Sequence, residues 1–201
     1  MILFSSYAFS GLQYLTKNIV TKTSFESLSA SWNAGDDSSK NVNLGFTFPF
    51  NGSTYSTVWI SSNGMLSFSS SNIDYRNRTL PFNSEAQSIY PYWDDLNPTN
   101  GGNITYGSIG TGDGQHFVVS WNSVPHYPSY GSYSFQVVLY KNGNIRFRYN
   151  SSNSINGSSA TIGVQENTSN YDQHSYNSTS HFENSKDILY SMPSAKMSLV
   201  T

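Results

Sequence analysis

The chain has 201 residues, enough for one large domain with a real core, yet only 11% of them are charged and the formal net charge is −2. That balance leaves no basic patch for a nucleic acid or an anionic membrane. The absence of cysteine excludes disulfides, thiolate metal sites and cysteine nucleophiles, and no apolar run approaches the roughly 20 residues of a membrane-spanning helix.

Polarity comes from Ser, Thr and Asn, which compete for the backbone inside helices, and aromatics reach 15%. Both features favour strands and turns. Residues 1–18 open with MILFSSYAFSGLQYL, an apolar stretch without the basic start of a signal peptide. It reads as a strand-forming arm, the alternative being the remnant of a targeting segment. On an extended chain Leu3, Tyr7, Phe9 and Leu15 share one face and Ile2, Phe4, Leu12 and Tyr14 the other, with Gly11 between them.

The domain itself is expected over residues 19–201. Apolar runs predict strands at Phe25–Leu28, Leu44–Phe50, Tyr55–Ile60, Met65–Phe68, Ile104–Tyr106 and Phe117–Trp121, then at Tyr133–Tyr140, Ile145–Tyr149, Ala160–Gln165 and Ile188–Ser191. Asn51-Gly52, Asn63-Gly64 and Asn142-Gly143 are dipeptides that tolerate the positive φ of tight hairpin turns. In Tyr133–Tyr140 one face is fully apolar and the other mixed, as a sheet packed on a second sheet requires. The fold class is therefore all-β, an antiparallel two-sheet β-sandwich, with Phe46, Phe48, Trp59, Phe68, Phe135, Val137 and Ile162 expected in its core. The pairs Arg76/Arg78 and Arg146/Arg148 are expected to face solvent.

Asp94-Asp95, in the run WDDL, is the best candidate for a site. Neighbours on a strand point to opposite faces, so the two do not form a general acid/base pair. One of them joins Asp36 or Asp37 around a calcium ion in one reading, since calcium takes oxygen ligands from such loops; in the plainer reading both anchor turns. The four histidines, His116, His126, His174 and His181, show no close metal-binding spacing. Gly107–Gly114 lacks the Gly-Lys-Ser/Thr ending of a phosphate loop and reads as a long hairpin loop. Tyr90–Trp93 (YPYW) and Pro125–Tyr130 (PHYPSY) are either core packing or a platform for sugars or a protein partner. Asn-x-Ser/Thr sequons occur at Asn51, Asn77, Asn103, Asn150, Asn156, Asn167 and Asn177, mostly in expected loops, where N-glycans are carried without disturbing packing.

The ordered set LGFTFPFNGSTYSTVWISSNGMLSF, IYPYWDDLNP, HFVVSWNSVPHY, GSYSFQVVLYKNGNIRF and ATIGVQ resembles the nidogen-type extracellular β-domain over about Leu44 to Gln165. The resemblance implies a non-enzymatic module of matrices, adhesins and surface structures, with no family-wide catalytic residues to carry over. In composition and layout the chain is similar to the thread-filament subunits of thermoacidophilic archaea. The expected function is thus a structural subunit of an extracellular cell-surface filament. In that reading the chain is N-glycosylated and joined head to tail to copies of itself by donor-strand complementation, with Leu3, Tyr7, Phe9 and Leu15 inserting. The alternative is a monomeric secreted adhesin or carbohydrate- or protein-binding module. Low charge also suits an acidic exterior, where few carboxylates remain to be protonated.

Overall fold

The computed structural model describes residues 15–83, 86–150, 155–180 and 185–193. Thirteen strands form two antiparallel sheets among these residues. They are β1 (Thr16–Thr21), β2 (Ala30–Trp32), β3 (Ser39–Phe50), β4 (Ser53–Ser61), β5 (Met65–Ser67), β6 (Ser88–Trp93), β7 (Asn103–Ile109), β8 (His116–His126), β9 (Tyr130–Tyr140), β10 (Ile145–Tyr149), β11 (Thr161–Gln165), β12 (Tyr171–Tyr176) and β13 (Lys186–Ser191). One sheet has the order β1-β13-β10-β9-β8-β7-β2 and the other β12-β11-β6-β5-β4-β3. The expected β-sandwich is the observed fold.

Alternation builds the interface between the sheets. In β3, Leu44, Phe46, Phe48 and Phe50 turn inward while their neighbours face outward or lie half-buried. From the facing sheet come Phe117, Val119, Trp121, Phe135, Val137 and Leu139. Trp121 and Phe135 stack at 4.8 Å between ring centroids, and Phe68 stacks on Tyr55 and Phe48 and meets Phe50 at a tilt, at the margin of the core. Trp59 is not in this core. Val58 and Ile60 point inward, so Trp59 falls on the opposite face and is half-buried, a phase error of one residue that the period of two makes absolute.

Four strands escape the sequence pattern: β1, β2, β6 and β12. β6 matters most, because it contains the YPYW run, for which core packing and a ligand platform are the two sequence readings. Tyr90, Pro91, Tyr92 and Trp93 are all buried. β6 lies between β5 and β11, so Tyr92 joins the main core. Tyr90 and Trp93 join Met65 and Leu80 in a second cluster on the outer face, flanked by Phe82. Trp93 Nε1 donates to the Asp74 carbonyl at 2.7 Å, which fixes the crossing segment between β5 and β6 over that cluster.

Phe25–Leu28 is no strand. It runs across the outer face of the larger sheet and is held by side chains instead of a ladder. The Gln136 amide donates to the Glu26 carbonyl at 2.7 Å and accepts from the Glu26 N–H at 3.0 Å. Glu26 also meets Arg148 at 2.6 Å and His116 at 2.7 Å. Arg146 bonds to Asp187 at 2.8 Å, and Asp187 in turn accepts from the Thr23 N–H and hydroxyl at 2.9 Å. In the second arginine pair Arg148 is therefore buried beneath this strap and Arg146 half-buried, contrary to the sequence expectation, while Arg76 and Arg78 are exposed beside Asp74. The strap explains the mixed face of β9: its polar residues are buried because they have partners.

At the N-terminus, Leu15 is buried in the core of its own chain and Thr16–Thr21 pairs with β13 in register Thr16↔Ser191 to Thr21↔Lys186. Residues 15–18 thus belong to the domain and not to an arm, and Leu15 is not available as an inserting residue. Leu3, Tyr7 and Phe9, the alternative face Ile2, Phe4, Leu12 and Tyr14, and His181 lie outside the described residues.

Replacing Glu26 by alanine strands the Arg148 guanidinium, which is 7% exposed. Glu26 itself is partly solvated, so the expected loss is about 2–3 kcal/mol, below the range for fully buried pairs. Urea unfolding of E26A against the parent chain measures it.

Candidate functional site

The site lies at one end of the sandwich, where three loops meet a buried turn. The turn is Ser62-Asn63-Gly64, between β4 and β5, and its residues are all buried, as is Ser61 at the end of β4. Asn63 Nδ2 donates to Asp37 Oδ1 at 2.8 Å and to the Ile73 carbonyl at 3.0 Å, and its Oδ1 accepts from the Leu96 N–H at 3.0 Å. Ser62 Oγ donates to the Asp36 carbonyl and accepts from the Ser38 N–H. One polar turn therefore fixes the Gly35–Ser38 loop, the segment around Ile73–Tyr75 and the Asp94–Asn97 loop that follows β6.

The convergence brings Asp36, Asp37 and Asp95 together, with one carboxylate oxygen from each lying within 4.8 Å of the others. Asp36 Oδ1 is closed off from solvent without a hydrogen-bond partner. Burial raises the pKa of Asp36, and the Asp37 charge adds to it. Burial also raises Asp95; the His126 charge opposes this, and Asp37, Asp36 and Asp94 reinforce it. Three carboxylates at one point can contribute to a hard cation, but they supply fewer oxygens than the six to eight that calcium takes, so carbonyls or waters complete any such shell.

Asp94 does not join this cluster. It is 3% exposed, and its oxygens are committed to His126 Nε2 at 3.1 Å, the Asp95 N–H at 3.0 Å and Ser159 Oγ at 2.6 Å. Of the four aspartates singled out in the sequence, Asp94 is thus the anchor, and the other three share a site. His126 Nδ1 meets the Tyr127 carbonyl at 2.6 Å. Both ring nitrogens face oxygen acceptors, which calls for the doubly protonated imidazolium. Burial lowers its pKa, yet the Asp94 hydrogen bond and charge outweigh burial and hold it above the ordinary value. Ser159 donates to Asp94 rather than to the imidazole, so this trio lacks the serine–base contact of nucleophilic catalysis.

Aromatic rings line the same end. Tyr75, 41% exposed, and Tyr127, 50% exposed, border a cleft of about 280 Å³ with Asp36, Asp37 and Asp95. A neighbouring cleft of about 460 Å³ shares Tyr75 and Asp95 and adds Arg76, Asn77, His126, Ser159 and Asn177. Tyr130, 55% exposed, stacks on His126 at 4.6 Å. The second of the two aromatic runs is therefore at the surface and beside the carboxylates. Tyr75 was not singled out in the sequence, because it lies in a Ser- and Asn-rich crossing segment with no aromatic neighbour.

The sequons sit mostly in turns, as expected. Asn156 and Asn177 are exposed; Asn51, Asn77, Asn103, Asn150 and Asn167 are half-buried, and Asn103 opens β7. His174 is on β12.

A family model described as NIDO-related matches residues 6–199. Over 76 residues the chain is 33% identical to Dendrite extension defective protein 1 of Caenorhabditis elegans, a match that covers 38% of this chain and 6% of that relative. The chain thus spans a small fraction of that relative's length. No solved structure matches.

The charge arrangement sets a pH dependence whose sign follows from each group. His126, raised on folding, stabilises fully below its ordinary value, and that contribution is lost as pH rises through the folded value. Asp36 and Asp95 are also raised, so the unfolded chain releases their protons first and stability falls as pH climbs above the ordinary carboxylate value. Glu26 opposes them. Burial raises it, but His116 and Arg148 prevail and lower it, so its contribution is lost as pH falls below the ordinary value. The unfolding midpoint, measured with chelator present, is expected to be higher near about pH 5 than near about pH 8. Asp95→Asn is expected to raise the alkaline value and flatten the profile.

Proposed function

The chain belongs to the NIDO-related family, whose domains occur in extracellular or secreted proteins, and on that premise we propose that it is a non-enzymatic binding module working outside the cell. Its ligand is a carbohydrate, held where Tyr75 and Tyr127 flank Asp36, Asp37 and Asp95. The observation that carries this reading is the pairing of exposed tyrosine rings with convergent carboxylates on one shared cleft. A sugar offers an apolar C–H face to an aromatic ring and hydroxyl donors to carboxylate oxygens, and the cleft has both kinds of partner.

A second reading makes the chain a structural subunit of a cell-surface filament. Its support is the edge position of β3, a twelve-residue strand that among the described residues pairs with β4 alone, together with the strand-prone sequence that precedes Leu15. Such an edge is an acceptor for a strand from another copy, and a head-to-tail joint of that type propagates into an open polymer. The two readings are compatible, since the aromatic cleft and the β3 edge use different residues.

A glycan array probed with the purified chain tests the first reading. Binding is expected to fall by at least about tenfold in Tyr127→Ala and in Asp95→Asn, the loss of one stacking or charged hydrogen-bonding contact. Absence of binding to any glycan by the parent chain contradicts it. Electron microscopy of the full chain and of a chain lacking residues 1–14 tests the second. Filaments are expected only from the full chain, and filaments from both contradict the donor-strand joint.

A further inference from the structure

We propose that Asn156 and Asn177 are N-glycan acceptors in the folded domain, and that Asn51 and Asn77 are structural amides which the fold withholds from modification. All four satisfy the Asn-x-Ser/Thr rule equally, so the distinction comes from geometry. None of the four lines the cleft that Tyr75 and Tyr127 form with Asp36, Asp37 and Asp95.

The chemistry states what an acceptor must offer. The amide Nδ2 forms a bond to the anomeric carbon of a sugar carried on a lipid phosphate. The anomeric carbon–oxygen bond breaks, the lipid phosphate leaves with the electron pair, and Nδ2 gives up one of its two hydrogens to a base. The acceptor therefore needs an Nδ2 hydrogen that the fold does not use, and room around it. The amide oxygen keeps its lone pairs and any hydrogen bond it accepts.

Asn156 meets these conditions. It is exposed, and its Oδ1 accepts from the N–H of Ser158, the hydroxyl residue of its own sequon, at 3.0 Å. No acceptor among the described residues faces its Nδ2. Asn177 is exposed as well, at the end of β12 with φ +46°. Its Oδ1 accepts from Asn77 Nδ2 at 2.7 Å. That bond uses only the oxygen, so it survives a sugar on Asn177.

Asn77 is the donor in the same pair and differs in what it has left. Its Nδ2 donates to Asn177 Oδ1 at 2.7 Å and to Thr161 Oγ1 at 3.3 Å, which uses both hydrogens. Thr161 is fully buried, and its hydroxyl hydrogen is already given to the Arg78 carbonyl at 2.6 Å. A sugar on Asn77 removes one of these bonds and enters between the crossing segment and β11. Asn51 is tied in a different way. It is a turn residue with φ +50°, its Nδ2 donates to the Glu166 carbonyl at 2.9 Å, and its Oδ1 accepts from Asn167 Nδ2 at 3.3 Å. The amide bridges the β3–β4 turn and the β11–β12 turn, where a sugar would part them.

The test uses the full chain purified from a host without N-glycosylation. The folded protein is incubated with an oligosaccharyltransferase that accepts plain Asn-x-Ser/Thr sites and a lipid-linked N-acetylglucosamine disaccharide. Short peptides spanning each of the four sequons serve as the unfolded reference, and site occupancy is read by peptide mass spectrometry. Relative to its own peptide, each of Asn156 and Asn177 is expected to react at least about tenfold faster than Asn51 or Asn77, the scale set by one hydrogen bond. Asn51 or Asn77 reacting in the folded chain as readily as Asn156 overturns the proposal. So does a folded chain in which Asn156 and Asn177 stay unmodified while their peptides react. As a structural check, Asn77→Ala is expected to lower the unfolding midpoint and Asn156→Ala to leave it unchanged.

Discussion

Asn63 is the residue on which the functional end of this domain depends. A buried primary amide has two donor hydrogens and an acceptor oxygen, and each must find a partner or cost free energy. Asn63 gives its hydrogens to Asp37 and the Ile73 carbonyl and its oxygen to the Leu96 N–H, so one side chain ties three loops to the β4–β5 turn. The turn can sit this deep only because Gly64 follows. Its φ is +75°, and a Cβ there would run into the Tyr92 carbonyl of the adjoining strand. Trp121 closes the arrangement from the other sheet by donating its indole N–H to the Ser61 and Ser62 carbonyls. Carboxylates that repel one another are thereby held at a common point by hydrogen bonds that none of them can relax away.

Scarcity of charge elsewhere makes the placement of the few ionic groups informative. Two clusters lie in the larger sheet, Glu26 with His116 and Arg148, and Asp187 with Arg146, and each closes a strap over polar residues that would otherwise lack partners. Those clusters stabilise. At the sandwich end the balance differs, because three carboxylates, Asp36, Asp37 and Asp95, converge and the adjacent His126 is committed to Asp94. The protein tolerates unfavourable electrostatics at the surface where its exposed tyrosines stand, and the proposed binding site is built on that convergence.

Much of the fold was legible in the sequence, and the reasons for the gaps are specific. Hairpins read cleanly because Asn-Gly steps and a period of two report local geometry, as at Asn142-Gly143 between β9 and β10. β6 did not, because Pro91 argues against a central strand and both its faces are buried, which removes the alternation. Phe25–Leu28 has the composition of a strand but finds the Gln136 side chain where a neighbouring backbone was expected. The convergence of Asp95 with Asp36 or Asp37 was foreseen as an option, and the structure joins all three. The anchoring role of Asp94 depends on His126 and Ser159, residues 32 and 65 positions away, and no local pattern encodes contacts at that range. The exposure of Tyr75 is equally a property of the packed loops.

The central claim is that Asn63 holds the Gly35–Ser38, Ile73–Tyr75 and Asp94–Asn97 loops in one arrangement. Amide hydrogen exchange along the chain, compared between the parent and Asn63→Ala, tests it most directly. The account predicts faster exchange confined to those three loops and the β4–β5 turn, with protection in β8, β9 and β10 unchanged. Unaltered exchange at all three loops, or a uniform loss of protection across both sheets, would contradict it.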